Sequence, residues 1–93
     1  MNLTVVGLVT PHLLRVVDLA NEAEKGVNVD WHLRDAVSRT MDELRDQWNA
    51  VALVAAYVDG LEAAASRVAT GTRPAYVRVL RAAAAAARTP GRG

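Results

Sequence analysis

The chain has no cysteine, no phenylalanine and no isoleucine among its 93 residues, and Lys25 is its one lysine. Without cysteine there can be neither a disulfide staple nor a thiolate-bound metal. Without phenylalanine or isoleucine, the large core anchors reduce to Trp31, Trp48, Tyr57, Tyr76 and the leucines. The rest of the apolar content is mostly alanine and valine, which let helices approach closely but gain only ~0.8 kcal/mol per buried methylene. Acidic residues are missing after Glu62, so residues 63–93 hold six arginines and no carboxylate, whereas residues 1–62 hold five cations and all ten carboxylates. Long apolar runs are missing too. The longest uncharged one, Ala50 to Val58, falls well short of the ~20 residues that cross a bilayer. Met1 to Val9 carries no basic start and no cleavage site. The reading is a soluble, cytoplasmic protein with no membrane partner.

Motifs for chemistry are equally scarce. There is no Gly-x-Ser-x-Gly, no phosphate-cradling glycine loop and no His-Glu-x-x-His. His12 and His32 follow no metal-ligand spacing and are read as surface residues in the first turns of two helices. Asp42, Glu43 and Asp46 cluster within about one turn and could do acid–base work, but a solvated acidic face neutralised by Arg39 and Arg45 accounts for them better. No catalytic residue, metal or cofactor is expected.

At 52% apolar and 23% charged residues, the chain is a globular domain rather than a disordered one. A single domain over residues 1–88 and a disordered tail over residues 89–93 are expected. The ten arginines and the alanine–valine excess suggest a GC-rich genome, such as that of an actinobacterium or one of its phages. Secreted actinobacterial helical-hairpin proteins carry a Trp-x-Gly turn that is absent here: His32-Leu33 follow Trp31 and Asn49-Ala50 follow Trp48.

What is present is helical periodicity. Leu3 to Val9 is short and β-branched, and Pro11 would cost a helix ~3 kcal/mol in its interior. An extended N-terminal arm is therefore favoured over a helical turn. Thr10 is the N-cap candidate for a first helix with Pro11 at its first position. The stripe Leu13, Val16, Val17, Ala20, Ala23 follows, and Gly26 is the stop. Next comes the strongest pattern in the chain. After Asp30 as N-cap, Val37, Met41, Leu44, Trp48, Val51, Ala55 and Val58 alternate in steps of four and three, a heptad seam for core or oligomer packing. Charged pairs such as Asp35 with Arg39 line its outer face. The seam fails at Glu62, and Asp59-Gly60 reads as a turn and restart, favoured over a kinked helix that runs on through Leu61, Ala65 and Val68 to Gly71. A last helix starts near Thr72 with Pro74 in its first turn and buries Tyr76, Leu80, Ala83 and Ala87. The fold expected is all-α, a small three- or four-helix bundle built on a long central heptad-patterned helix with a short extended N-terminal arm.

As one straight helix, residues 30–59 would span ~45 Å, longer than the ~32 Å globule a chain of this size makes. The overhang predicts a homodimer. Trp48 is placed in the core by its seam position, and Trp31 either packs beneath the first helix, the favoured reading, or lies exposed. Arg78, Arg81 and Arg88 share an arc beside the apolar stripe of the last helix. With Arg73 and Trp31 they form the predicted partner-binding set, because arginine forks fit carboxylates and phosphates. The functional reading is a non-enzymatic helical interaction module, such as a small regulator or a phage-encoded modulator of a host protein. The alternative is a nucleic-acid-associated protein using the arginine helix, and a third option is a structural subunit of a larger assembly.

Overall fold

A computed structural model describes residues 4–88, and these fold into four α-helices with no strand among them. They are α1 (Val5–Glu24), α2 (Asp30–Arg45), α3 (Ala50–Ser66) and α4 (Pro74–Arg88). The molecule is a slab of 38 × 31 × 19 Å. α4 packs mainly against α3 and α1, and α2 is the least embedded helix. The all-α bundle expected from the sequence is therefore found. The predicted tail lies outside the described residues.

From Val5 onward the N-terminal arm is helical rather than extended. Thr4, rather than Thr10, caps α1, its hydroxyl accepting the Gly7 N–H at 3.0 Å. Pro11 lies inside the helix, and the Thr10 hydroxyl donates to the Val6 carbonyl at 2.7 Å instead of capping. Two features make the proline tolerable. Pro11 and Gly7 are both exposed, so the Gly7 carbonyl that loses its helical donor can bond water. The apolar stripe also runs through the proline, with Val9, Val16, Ala20 and Ala23 all buried. Burial across that continuous face outweighs the local penalty. Gly26 ends the helix as expected, left-handed at φ 97°, with its N–H on the Ala23 carbonyl and that of Val27 on Glu22. These two bonds form a Schellman cap.

The long central helix is two helices. α2 stops at Arg45, the chain turns through Asp46–Asn49, and α3 begins at Ala50. No glycine or proline marks this turn. Packing imposes it, because α2 buries Ala36, Val37, Thr40, Met41 and Leu44 and then runs out of core. Redirecting the chain lets α3 bury Leu53, Tyr57, Val58, Leu61 and Ala65. At 100° per residue that face is centred about a quarter turn from the seam. Hence Val37, Met41, Leu44 and Val58 are core, whereas Trp48, Val51 and Ala55 are exposed. The overhang argument for a dimer falls with the straight spine.

Asp59-Gly60 is no turn either, since α3 runs through it to Ser66. Gly60 is a notch for α1: a Cβ there would meet the Leu13 Cδ1 at 2.6 Å. A glycine within a helix sacrifices ~1 kcal/mol of propensity, and here that loss lets two helices close up. At the N-cap of α2 stands Val29, one residue before the predicted Asp30, and the Asn28 side chain accepts the Asp30 N–H at 3.0 Å.

α4 matches its prediction, with Tyr76, Val79, Leu80, Ala83, Ala84 and Ala87 buried. Its first turn is fastened from another helix. Glu24 at the end of α1 accepts the Tyr76 N–H at 3.0 Å, placing a carboxylate where the helix dipole favours one.

Candidate interaction surface

Trp48 is 95% exposed and Val51 88% exposed, the two most exposed large apolar residues among those described. Trp48 lies in the turn two residues before α3, and Val51, Ala52 and Ala55 share one side of that helix, since Ala55 is four residues after Val51 and three after Ala52. All four are exposed. Beside them runs an open groove of about 570 Å³, floored by Val51, Val54, Ala55, Val58 and Ala87 and rimmed by Arg45, Asp59 and Arg88. It is a mostly apolar hollow lined by small side chains, and Trp48 stands outside its lining.

The predicted partner-binding residues do not form one site. Trp31 is 69% exposed rather than packed under α1, and meets its neighbour His32 edge-on, with ring centroids 5.4 Å apart. Its position about 100° off the buried stripe of α2 turns it outward. Arg73 is half-buried: its guanidinium donates to Asn21 and covers the Tyr76 ring at 4.0 Å. Together with Glu24 it ties α4 to α1. Arg88 pairs with Glu62, so one arginine of the basic face docks on the acidic part of the same chain. Arg78 and Arg81 are exposed and form no ion pair among the described residues. Arg39 bonds Asp35 at 3.0 Å as the sequence spacing implies.

A second site escaped the sequence reading. Between α1 and α2 lies a polar groove of about 670 Å³ whose lining includes His12, Arg15, Asp18, His32, Thr40 and Glu43. His12 is not simply a surface residue. Its Nε2 stands 2.9 Å from Glu43 Oε2, and its Nδ1 stands 3.3 Å from the Thr40 hydroxyl. The order carboxylate, imidazole, hydroxyl resembles a relay. Thr40, however, is only 3% exposed although it lines the groove. Among the described residues no three His, Asp or Glu side chains converge to hold a metal. The buried Tyr57 hydroxyl interacts with Thr40 without reaching the geometry of a hydrogen bond. Burial pushes the Tyr57 phenol above its ordinary pKa, and the nearby Thr40 hydroxyl offsets this only in part. His12 and Thr40 lie 28 residues apart, so no local spacing could have revealed their contact.

No family model, curated protein or solved structure matches this chain. No helix among the described residues is long and apolar enough to cross a membrane.

Proposed function

We propose that the protein is a non-enzymatic helical interaction module whose contact surface centres on Trp48. One observation carries the reading: a tryptophan 95% exposed in the turn that leads into α3, whose residues line an apolar groove. Burying a tryptophan removes ~200 Å² from water, worth ~5 kcal/mol at ~25 cal/mol per Å². The isolated chain leaves that free energy unrealised. Tryptophan is also the residue type most enriched where binding energy concentrates. A small regulator acting by occupying another protein is the role such a surface serves, and a phage-encoded modulator of a host protein is its narrower form.

A second reading has its own support. Arg78 and Arg81 project from α4 without ion pairs among the described residues, which suits a phosphate backbone. Affinity capture with the whole chain separates the two. The main reading expects a discrete protein retained after nuclease treatment and lost with Trp48→Ala. A catch removed by nuclease or by Arg78→Glu with Arg81→Glu, and indifferent to Trp48→Ala, overturns it in favour of nucleic acid.

A further inference from the structure

We propose that Glu43, His12, Thr40 and Tyr57 form a proton-responsive hydrogen-bond chain, in which protonation of His12 in the α1–α2 groove turns the Thr40 hydroxyl away from the imidazole and onto the Tyr57 oxygen in the core. None of the four residues belongs to the Trp48 surface.

The order of donors follows from the partners. His12 Nε2 stands 2.9 Å from Glu43 Oε2, and Nδ1 stands 3.3 Å from the Thr40 hydroxyl oxygen. An ionised carboxylate only accepts, so Nε2 carries a hydrogen. In the neutral ring Nδ1 is then the bare nitrogen, and it accepts from Thr40. The Thr40 oxygen is left to accept from Tyr57, whose buried phenol interacts with it short of hydrogen-bond geometry. Each hydrogen in the chain points outward, from core to groove.

Protonation reverses the inner half of this order. Both ring nitrogens become donors. The Glu43 contact becomes a charge pair, and the hydrogen on Nδ1 now points at the Thr40 oxygen, so the hydroxyl's own hydrogen has to turn away. Thr40 is only 3% exposed, which leaves little water to receive it. Two protein acceptors remain. One is the Ala36 carbonyl, a turn back in α2, which already holds the Thr40 N–H of the helical ladder. The other is the Tyr57 oxygen, buried and short of any completed hydrogen bond. Leaving a buried polar group unsatisfied costs more than a second bond to a satisfied one returns, so Tyr57 is the receiver.

The surroundings suit such a device. Arg15 and Asp18 of α1 and His32, Asp35 and Arg39 of α2 line the same groove as His12 and Glu43. No residue of α3 or α4 lines it, and α3 meets the chain through Tyr57. Three carboxylates stand there against two guanidiniums, so the groove holds no net positive charge before His12 gains its own. Histidine is the side chain that ordinarily changes charge between about pH 5 and pH 8, which makes His32 the necessary control. A proton taken up beside α1 is thus felt through α2 as a side-chain rearrangement in α3.

Nuclear magnetic resonance of the whole chain, isotope-labelled at the histidine ring nitrogens and the tyrosine Cζ carbons, tests this from about pH 8 to about pH 5. The Tyr57 signal is identified by its loss in Tyr57→Phe. At the alkaline end His12 is expected as the Nε2–H tautomer. As the ring takes up its proton, the Tyr57 Cζ signal shifts in step with the His12 nitrogens. His12→Gln and Thr40→Val abolish that shift while keeping the parent's circular dichroism, and His32→Gln retains it. His12 is half-buried, so His12→Gln carries the comparison if Thr40→Val loses its fold. A His12 ring protonated on Nδ1 at the alkaline end overturns the proposal. So does a Tyr57 signal that stays still while His12 titrates, or one whose shift survives His12→Gln or is lost in His32→Gln.

Discussion

Replacing Tyr57 with phenylalanine should stabilise the protein, although Tyr57 is a fully buried core residue of α3. The ring makes the packing contacts, while the buried hydroxyl interacts with the Thr40 hydroxyl without reaching the geometry of a hydrogen bond. An unsatisfied buried hydroxyl costs about 1–3 kcal/mol. Removing one oxygen leaves a void of ~10 Å³, which at ~24 cal/mol per Å³ returns only ~0.2 kcal/mol of destabilisation. The hydroxyl term wins, and the net gain is ~1–2 kcal/mol. For a domain of this size each kcal/mol moves Tm by ~4–8 °C, so thermal unfolding followed by far-ultraviolet circular dichroism should shift up by ~4–16 °C. Alkaline pH supplies an independent readout. Burial holds the Tyr57 phenol above its ordinary pKa, with Thr40 offsetting part of the shift. Below pH ~10 the phenol is neutral in folded and unfolded chains alike. Above that, the unfolded chain loses a proton the folded chain keeps, so stability falls as pH rises towards the folded-state pKa. The phenylalanine variant should lose this component of the decline. A variant less stable than the parent at neutral pH, or one with the parent's full alkaline slope, would show that the hydroxyl is satisfied in the folded protein.

Two further substitutions probe how the helices meet. Glu24→Ala removes the acceptor of the Tyr76 N–H and should cost ~1 kcal/mol in urea unfolding, as loss of a helix cap does. Glu24→Gln, which keeps an acceptor but not the charge, should cost less, and equal losses would refute a capping role. Gly60→Ala should destabilise by up to ~2 kcal/mol, because ~1–3 kcal/mol of overpacking against Leu13 exceeds the ~1 kcal/mol gained in helix propensity. In a Leu13→Ala background the same change should become stabilising, and additive effects would refute the contact.

The sequence displayed those elements whose signals are local. Gly26 and Pro74 punctuate the chain where helices stop and start, and the stripe of α4 is buried as its spacing implies. It hid those decided by competition between distant segments. Pro11 carries a local penalty, yet α1 passes through it because Val9 and Val16 both find the core. Asp59-Gly60 has turn chemistry, yet its glycine serves an approach to Leu13, visible only once α1 lies against α3. The turn at Asp46–Asn49 has no breaker, and it forms because α2 exhausts its core at Leu44. Residue size was the better guide within α3. Leu53, Tyr57 and Leu61 recur every four residues and outsize the exposed Val51, Ala52 and Ala55.

Periodicity shows that a helix has an apolar face without showing which molecule covers it. The seam from Val37 to Val58 is one pattern in the sequence, and the fold divides it. Val37, Met41 and Leu44 are buried within the chain, and Trp48, Val51 and Ala55 are left in water. Charge divides in the same way. Glu62 with Arg88, and Glu24 at the start of α4, bring the acidic and basic parts of the chain together. Asp42, Asp46, Arg78 and Arg81 form no ion pair among the described residues. Internal docking thus uses only part of the asymmetry. The unused acids stand near Trp48 in sequence, while the unused arginines project from α4. These remaining charges orient whatever meets the apolar face, and by exposure they add little to the stability of the chain alone. Reversing Asp46 should accordingly change association and its salt dependence while leaving the melting temperature almost unmoved.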